Sequence, residues 1–145
     1  MELLRKVASF GASTEELKEI YYLFVRSQLE QSAVVWNSSL TEENKTDLER
    51  VQKSALRLIM GGRYSGYKQA LAELGILSLE ERRENLCMNF ARKCLRNSKT
   101  QHMFPRNENL HEMKTRKHEE FKVQHANTGR LQKSPLIYMQ KLLNT

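Results

Sequence analysis

Residues 41–61 read TEENKTDLERVQKSALRLIMG, and this stretch decides the fold. Thr41 can accept a hydrogen bond from a first-turn N–H, and Glu42 and Glu43 favour the positive end of a helix. Leu48, Val51, Gln52, Ala55, Leu56 and Ile59 recur on one face at 3.6-residue spacing. Lys45, Glu49, Arg50, Lys53 and Arg57 take the opposite side. Gly61 and Gly62 stop the helix, because glycine reaches left-handed backbone without steric cost. The result is a long amphipathic helix, and the segments on both sides of it have apolar faces that need a partner.

Upstream, Leu3, Leu4, Val7 and Phe10 predict a short helix ending at Gly11. Ser13 with Glu16 makes a capping box for a helix from about Thr14 to Trp36. Its apolar residues run from Leu17 through Tyr21, Tyr22, Leu23 and Phe24 to Ala33, and cover more than one side. Such coverage calls for at least three packed helices or a missing neighbour. Trp36 anchors the corner before the polar turn Asn37-Ser38-Ser39.

Downstream comes GGRYSGYKQALAELG. No Lys-Ser/Thr pair follows its glycines and no strand leads into them, so it is not a nucleotide-phosphate loop. A short helix spans Tyr67 to Leu74, closed by Gly75, with Ile76 and Leu77 sealing the turn. Ser78 and Glu81 form a second capping box, opening SLEERRENLCMNFARKCLRN. Leu79, Leu86, Cys87, Phe90, Ala91, Cys94 and Leu95 are its expected apolar stripe, with the basic residues mostly away from it. From residue 99 to 133 no period holds. Phe104-Pro105 is an extended step, and Phe121, Val123 and Ala126 suit a short strand or an extended strap. Ser134 and Pro135 open a short terminal helix. The expected fold is all-α: a small bundle of four to five helices, with an irregular basic C-terminal tail ending in a short helix. The expected domains are a helical one over 1–98 and the tail over 99–145.

The chain has 145 residues and a hydrophobic fraction of 39%, enough for one modest core. Its two cysteines build no disulfide framework and read as reduced and buried. No apolar run approaches the roughly 20 residues of a membrane span, and the start lacks the apolar core of a secretion signal. An intracellular chain that does not enter a membrane is expected. The net charge of +7 is uneven. Residues 1–80 hold 10 Lys/Arg and 11 Asp/Glu, whereas residues 81–145 hold 14 and 6. An excess confined to one half favours a polyanionic partner.

The chain has a single aspartate, Asp47, and its glutamates are scattered over charged helix faces. Two-metal nucleotidyl transfer needs clustered acidic ligands, and glycosidic chemistry needs paired carboxylates. No catalytic residue is assigned. Cys87, Cys94, His102 and His111 offer two thiols and two imidazoles, but the thiols lie two helical turns apart, roughly 10 Å along the axis. A structural zinc prefers short Cys-Cys and His-His spacings, so no metal and no cofactor is expected. The basic residues are the main functional signal. Arg82, Arg83, Arg92, Lys93, Arg96, Lys99 and Arg106 follow one another, then Lys114, Arg116, Lys117, Lys122, Arg130 and Lys133. With no recognition-helix pattern or aromatic RNA motif, they suit backbone-phosphate contact rather than base reading, against the alternative of a solvated basic face.

The same stretches carry a family resemblance. Residues 1–41, MELLRKVASFGASTEELKEIYYLFVRSQLEQSAVVWNSSLT, resemble the part of a non-LTR retrotransposon reverse transcriptase that follows its catalytic core, in jockey-like and related LINE elements. The likeness continues through LERVQKSALRLIMG and YKQALAELGILSLEERRENLCMNFARKCLRN, and resumes at TRKHEEFKVQHANTGRLQKSPLIYMQKLLN. The family has a proline where Ser27 stands and another at Val34; their loss straightens the helix. The resemblance assigns packing roles to Trp36, Leu48, Val51, Ala55, Leu56, Leu74, Gly75, Leu79, Arg82, Leu86 and Pro135. The family's catalytic palm, with its Tyr-Xaa-Asp-Asp box, is not in this sequence. What the resemblance implies is therefore thumb-like support of nucleic acid without polymerase activity. The partner is a duplex or RNA–DNA hybrid, bound weakly and non-specifically. A reverse transcriptase palm and a second copy of the chain are further expected partners. The alternative is a helical protein-interaction module of retroelement origin.

Overall fold

The computed structural model describes residues 1–110 and 120–145. In chain order the helices are α1 (Glu2–Ser9), α2 (Thr14–Ile20), α3 (Ser27–Glu30), α4 (Ala33–Trp36), α5 (Glu42–Met60), α6 (Tyr67–Leu74), α7 (Leu79–Arg96), α8 (Gly129–Gln132) and α9 (Pro135–Leu142). Among the described residues there is no strand, and the fold is a small all-helical bundle. The helices outnumber the expected four or five because short pieces replace one long helix. The chain divides into two compact units. One is Met1–Ser32 with Leu40–Arg83, and the other is Ala33–Ser39 with Glu84–Thr145. Residues on both sides of position 98 share a core, with Phe104 and Met139 packed against α7.

The first unit is organised around α5. Thr41 caps it, accepting a hydrogen bond from the Asn44 N–H at 3.2 Å, and Gly61 ends it at φ 53°. Ala55, Leu56, Ile59 and Met60 are buried against Leu4 of α1, Leu17 and Tyr21, and Ala70 and Leu74 of α6. Removing the Leu56 side chain to Ala would cost about 2–5 kcal/mol, since the site is fully enclosed. The polar member of this face is satisfied. Gln52 donates to the Leu77 carbonyl at 3.0 Å and accepts from the Tyr67 hydroxyl at 2.9 Å. Tyr67 also hydrogen-bonds Glu49, whose other oxygen accepts the Glu80 N–H at 2.8 Å. Burial first, and then the Glu49 bond, push the Tyr67 phenol well above its ordinary range. Gly75 turns the chain at φ 63°, and Ile76 is buried beyond it while Leu77 is exposed.

The helix expected from Thr14 to Trp36 is broken. Its capping box is present: the Ser13 N–H and hydroxyl donate to Glu16 at 2.7 and 2.8 Å. After α2 the backbone widens into a π-helical turn, Tyr21–Arg26. The Ser27 hydroxyl bonds back to the Leu23 carbonyl, a local bond of the kind that bends helices. The chain then turns at Gln31 and Ser32, where Ser32 adopts φ 54° without being glycine. The straight helix expected here is therefore not formed; the corner is made by backbone that no proline or glycine announces.

In the second unit, one core gathers Cys87, Ala91 and Cys94 of α7 with Phe104 and with Met139 of α9. Pro135 opens α9 as expected. The strap over residues 120–124 is extended and forms an isolated antiparallel bridge, Arg106 to Phe121, rather than a strand. Side-chain amides of α9 and of the residues just after it hold it. Asn144 accepts from the Phe121 N–H at 2.8 Å and donates to its carbonyl at 2.9 Å. Gln140, 3% exposed, accepts from the Gln124 N–H at 2.8 Å and donates to the Met103 carbonyl at 2.9 Å. The Ser38 hydroxyl donates to the Lys133 carbonyl at 2.7 Å, tying the 33–39 segment to the end of the chain.

Candidate nucleic-acid interface

The α7 helix positions most of the basic residues singled out from sequence. Ser78 and Glu81 form the capping box that starts it, with the Glu81 N–H donating to Ser78 at 3.2 Å. Its buried face runs Leu79, Arg83, Cys87, Ala91, Cys94, steps of four and three that a straight helix puts in one row. This row sorts the arginines into two groups.

Arg82 is paired within the fold and Arg83 is buried. Arg83 is 1% exposed and cannot reach a phosphate. The signal was present in the sequence, since position 83 lies four residues from both Leu79 and Cys87. Arg82 forks onto Glu30 with Nε at 3.0 Å and Nη2 at 2.9 Å. Its guanidinium is held protonated more firmly than usual, mainly by the Glu30 hydrogen bonds. Glu30 in turn lies 3.5 Å from Arg26, which stacks 3.9 Å over the Tyr22 ring. Arg82 is thus held within the fold by a partner from α3.

Arg92, Lys93 and Arg96 are exposed and come together. With Val34, Leu86, Asn89 and Phe90 they line a groove of about 450 Å³. No carboxylate lines it, and among the described residues none of the three cations forms an ion pair. The sequence has no Asp or Glu from residue 85 to 107, so the helix segment that carries the groove brings no carboxylate of its own. Phe90, expected in the buried stripe, is instead 44% exposed at its edge. The nearby helix C-terminus also favours cations, which helps this end of α7 to carry them.

The other candidates are scattered. Lys99 is exposed just beyond α7. Lys122 lines a second hollow of about 480 Å³ with His102, Met103, Pro105, Gln124, His125, Leu136 and Gln140. Arg130 lies on α8 and Lys133 directly after it, both exposed. Lys114, Arg116 and Lys117 lie outside the described residues, as do His111 and His118. Arg106, the last of the first basic run, sits 5.0 Å over the Phe121 ring. Sequence reasoning missed Val34 and Asn89 as groove residues, because the turn at Ser32 that delivers Val34 carries no sequence signal.

Two other constellations resolve plainly. Asp47 pairs with Arg50 at 2.6 Å on the exposed side of α5. Cys87 and Cys94 are buried thiols outside any disulfide, and the Asn37 amide donates to the Cys87 sulfur at 3.9 Å. Among the described residues no three His, Cys, Asp or Glu side chains gather as metal ligands, and no helix is long and apolar enough to cross a membrane. No protein-family model, curated protein or solved structure matches this chain.

Proposed function

We propose that this chain is a non-catalytic holder of nucleic acid, derived from the thumb-like region of a non-LTR retrotransposon reverse transcriptase. The observation that carries the reading is the α7 groove, where Arg92, Lys93 and Arg96 face solvent with no carboxylate among the lining residues. Such a surface neutralises phosphates and releases counterions without reading sequence. The sequence resemblance supports the ancestry. The test is a fluorescence anisotropy titration with a labelled RNA–DNA hybrid at two salt concentrations. Weak binding that falls steeply with salt is expected; no binding at about 50 mM salt by folded, monodisperse protein refutes the reading.

A second reading has its own observation. On the π-helical turn of the first unit, Leu23 and Phe24 are 67% and 57% exposed side by side. Adjacent exposed apolar side chains favour a protein contact, a second copy included. Sedimentation of the Leu23→Ser/Phe24→Ser variant checks it: self-association that the double change abolishes, with nucleic-acid binding absent from both proteins, makes this the better account.

A further inference from the structure

The α7 groove holds more than phosphate contact requires. Three cations would suffice to grip a backbone, yet the same groove is walled by Val34, Leu86 and the half-exposed ring of Phe90, with the Asn89 amide between them. An intact duplex has nothing to offer that wall, because its base faces are stacked inside and only base edges show in its grooves. An unpaired nucleotide offers both parts: an anionic phosphate and an apolar, planar face. Its size also suits a hollow of about 450 Å³.

We infer that the groove takes an unpaired nucleotide, in a single strand or in the overhang of a duplex, with its phosphates on Arg92, Lys93 and Arg96 and its base against Phe90. This rests on the nucleic-acid reading and narrows it from duplex in general to unpaired strand. The helical spacing fits the division of labour. Phe90 lies three residues from Lys93, Asn89 lies three from Arg92 and four from Lys93, and Arg92 lies four from Arg96, so neighbouring pairs connect ring and cations across the groove face. Stacking on an aromatic side chain accepts any base, since every base has a π-face. The Asn89 amide can donate and accept at a base edge.

The test compares three labelled probes on the full chain: a single strand of roughly a dozen nucleotides, made in DNA and in RNA, a blunt duplex, and that duplex with an overhang. Wild type is expected to prefer the single strand and the overhang. Phe90→Ala should weaken those two by about 5- to 100-fold and leave the blunt duplex unchanged, the range that loss of one stacked base predicts. Phe90→Trp should keep the affinity, and its added fluorescence, over the Trp36 background, should be quenched by the strand. DNA and RNA arms of equal affinity mean that base and phosphate alone are read; a gap between them places the sugar in the groove as well. Because Phe90 is at the surface, the Ala variant should fold normally, and unchanged helicity verifies this. If replacing Arg92, Lys93 and Arg96 by Gln weakens every probe while Phe90→Ala weakens none, the phosphate reading stands and this inference falls. If no probe binds wild type, both fall. An acidic amphipathic peptide that binds more tightly than any strand, and loses affinity with Phe90→Ala, overturns the inference in favour of a protein ligand.

Discussion

Replacing Arg82 by Met separates a structural arginine from the binding arginines. The fork onto Glu30 places two charge-assisted hydrogen bonds at 2.9–3.0 Å, with Glu30 only 13% exposed and Arg82 30% exposed. Bonds of this kind contribute about 1.5–3 kcal/mol each when shielded, and exposed ion pairs about 0.2–1 kcal/mol. Partial exposure of Arg82 puts the pair between these limits. Met keeps most of the aliphatic stem, so the change reports the head group and leaves Glu30 with Arg26 alone. A loss of roughly 2 kcal/mol follows, or a fall in Tm of about 6–8 °C for a chain of this length. The Arg82→Met/Glu30→Gln cycle should show a coupling of about 1–2 kcal/mol, because the two residues share one interaction. Nucleic-acid affinity and its salt slope, measured well below the melt, should not change. Conversion of Arg92, Lys93 and Arg96 to Gln should do the reverse, keeping Tm and flattening the salt slope by up to roughly 2.7, at about 0.9 per phosphate contact. Arg82→Met that flattens the slope while leaving Tm unchanged would refute the sorting of arginines along α7.

Tyr21 is fully buried and its hydroxyl has no hydrogen-bond partner among the described residues. Tyr21→Phe should therefore be neutral or stabilising, by up to about 1 kcal/mol in a denaturant melt; a clear loss would show a hidden partner. Burial raises the Tyr21 phenol well above its ordinary range, so its contribution is complete below about pH 10 and is lost as pH rises further, once the unfolded chain ionises. The Phe variant should resist alkaline unfolding better than wild type. Glu16 titrates low because the Ser13 backbone, then its hydroxyl, donates to the carboxylate. Its contribution is present above the ordinary carboxylate pKa and fades as pH falls through the lowered one; an NMR titration of Ser13→Ala should show Glu16 moving up. Gln140→Leu removes the amide that joins the Gln124 N–H to the Met103 carbonyl. It should cost about 1–3 kcal/mol and speed amide exchange at Gln124, and unchanged exchange there would contradict the role assigned to Gln140.

Much of the architecture was legible because it is written in local chemistry. Thr41, Ser13 and Ser78 mark helix starts, and Gly61 and Gly75 mark turns that require positive φ. Three features were not legible. The corner at Gln31-Ser32 is enforced by packing, with an ordinary serine carrying the unfavourable backbone. The π-helical turn over Tyr21–Arg26 is a widening of the backbone that no periodicity encodes. Arg83 was assigned outward by its charge, although its position in the row of Leu79 and Cys87 pointed inward. The site was half legible for the same reason: residue type identified the cations, and only helix phase could say which of them face solvent.

The 33–39 segment belongs with residues 84–145, yet it is threaded between two pieces of the other unit. The chain therefore crosses between units after Ser32, after Ser39 and after Arg83. No single cut yields two complete halves, so dissection into N- and C-terminal fragments strands seven residues on the wrong side. During synthesis the first unit has all its parts once Arg83 has emerged. Ser38 must wait for Lys133, 95 positions later, before its bond can close. The second unit is thus the later of the two, its closure delayed until Lys133 has emerged, and mutations in α4 should slow its assembly more than they alter the early core.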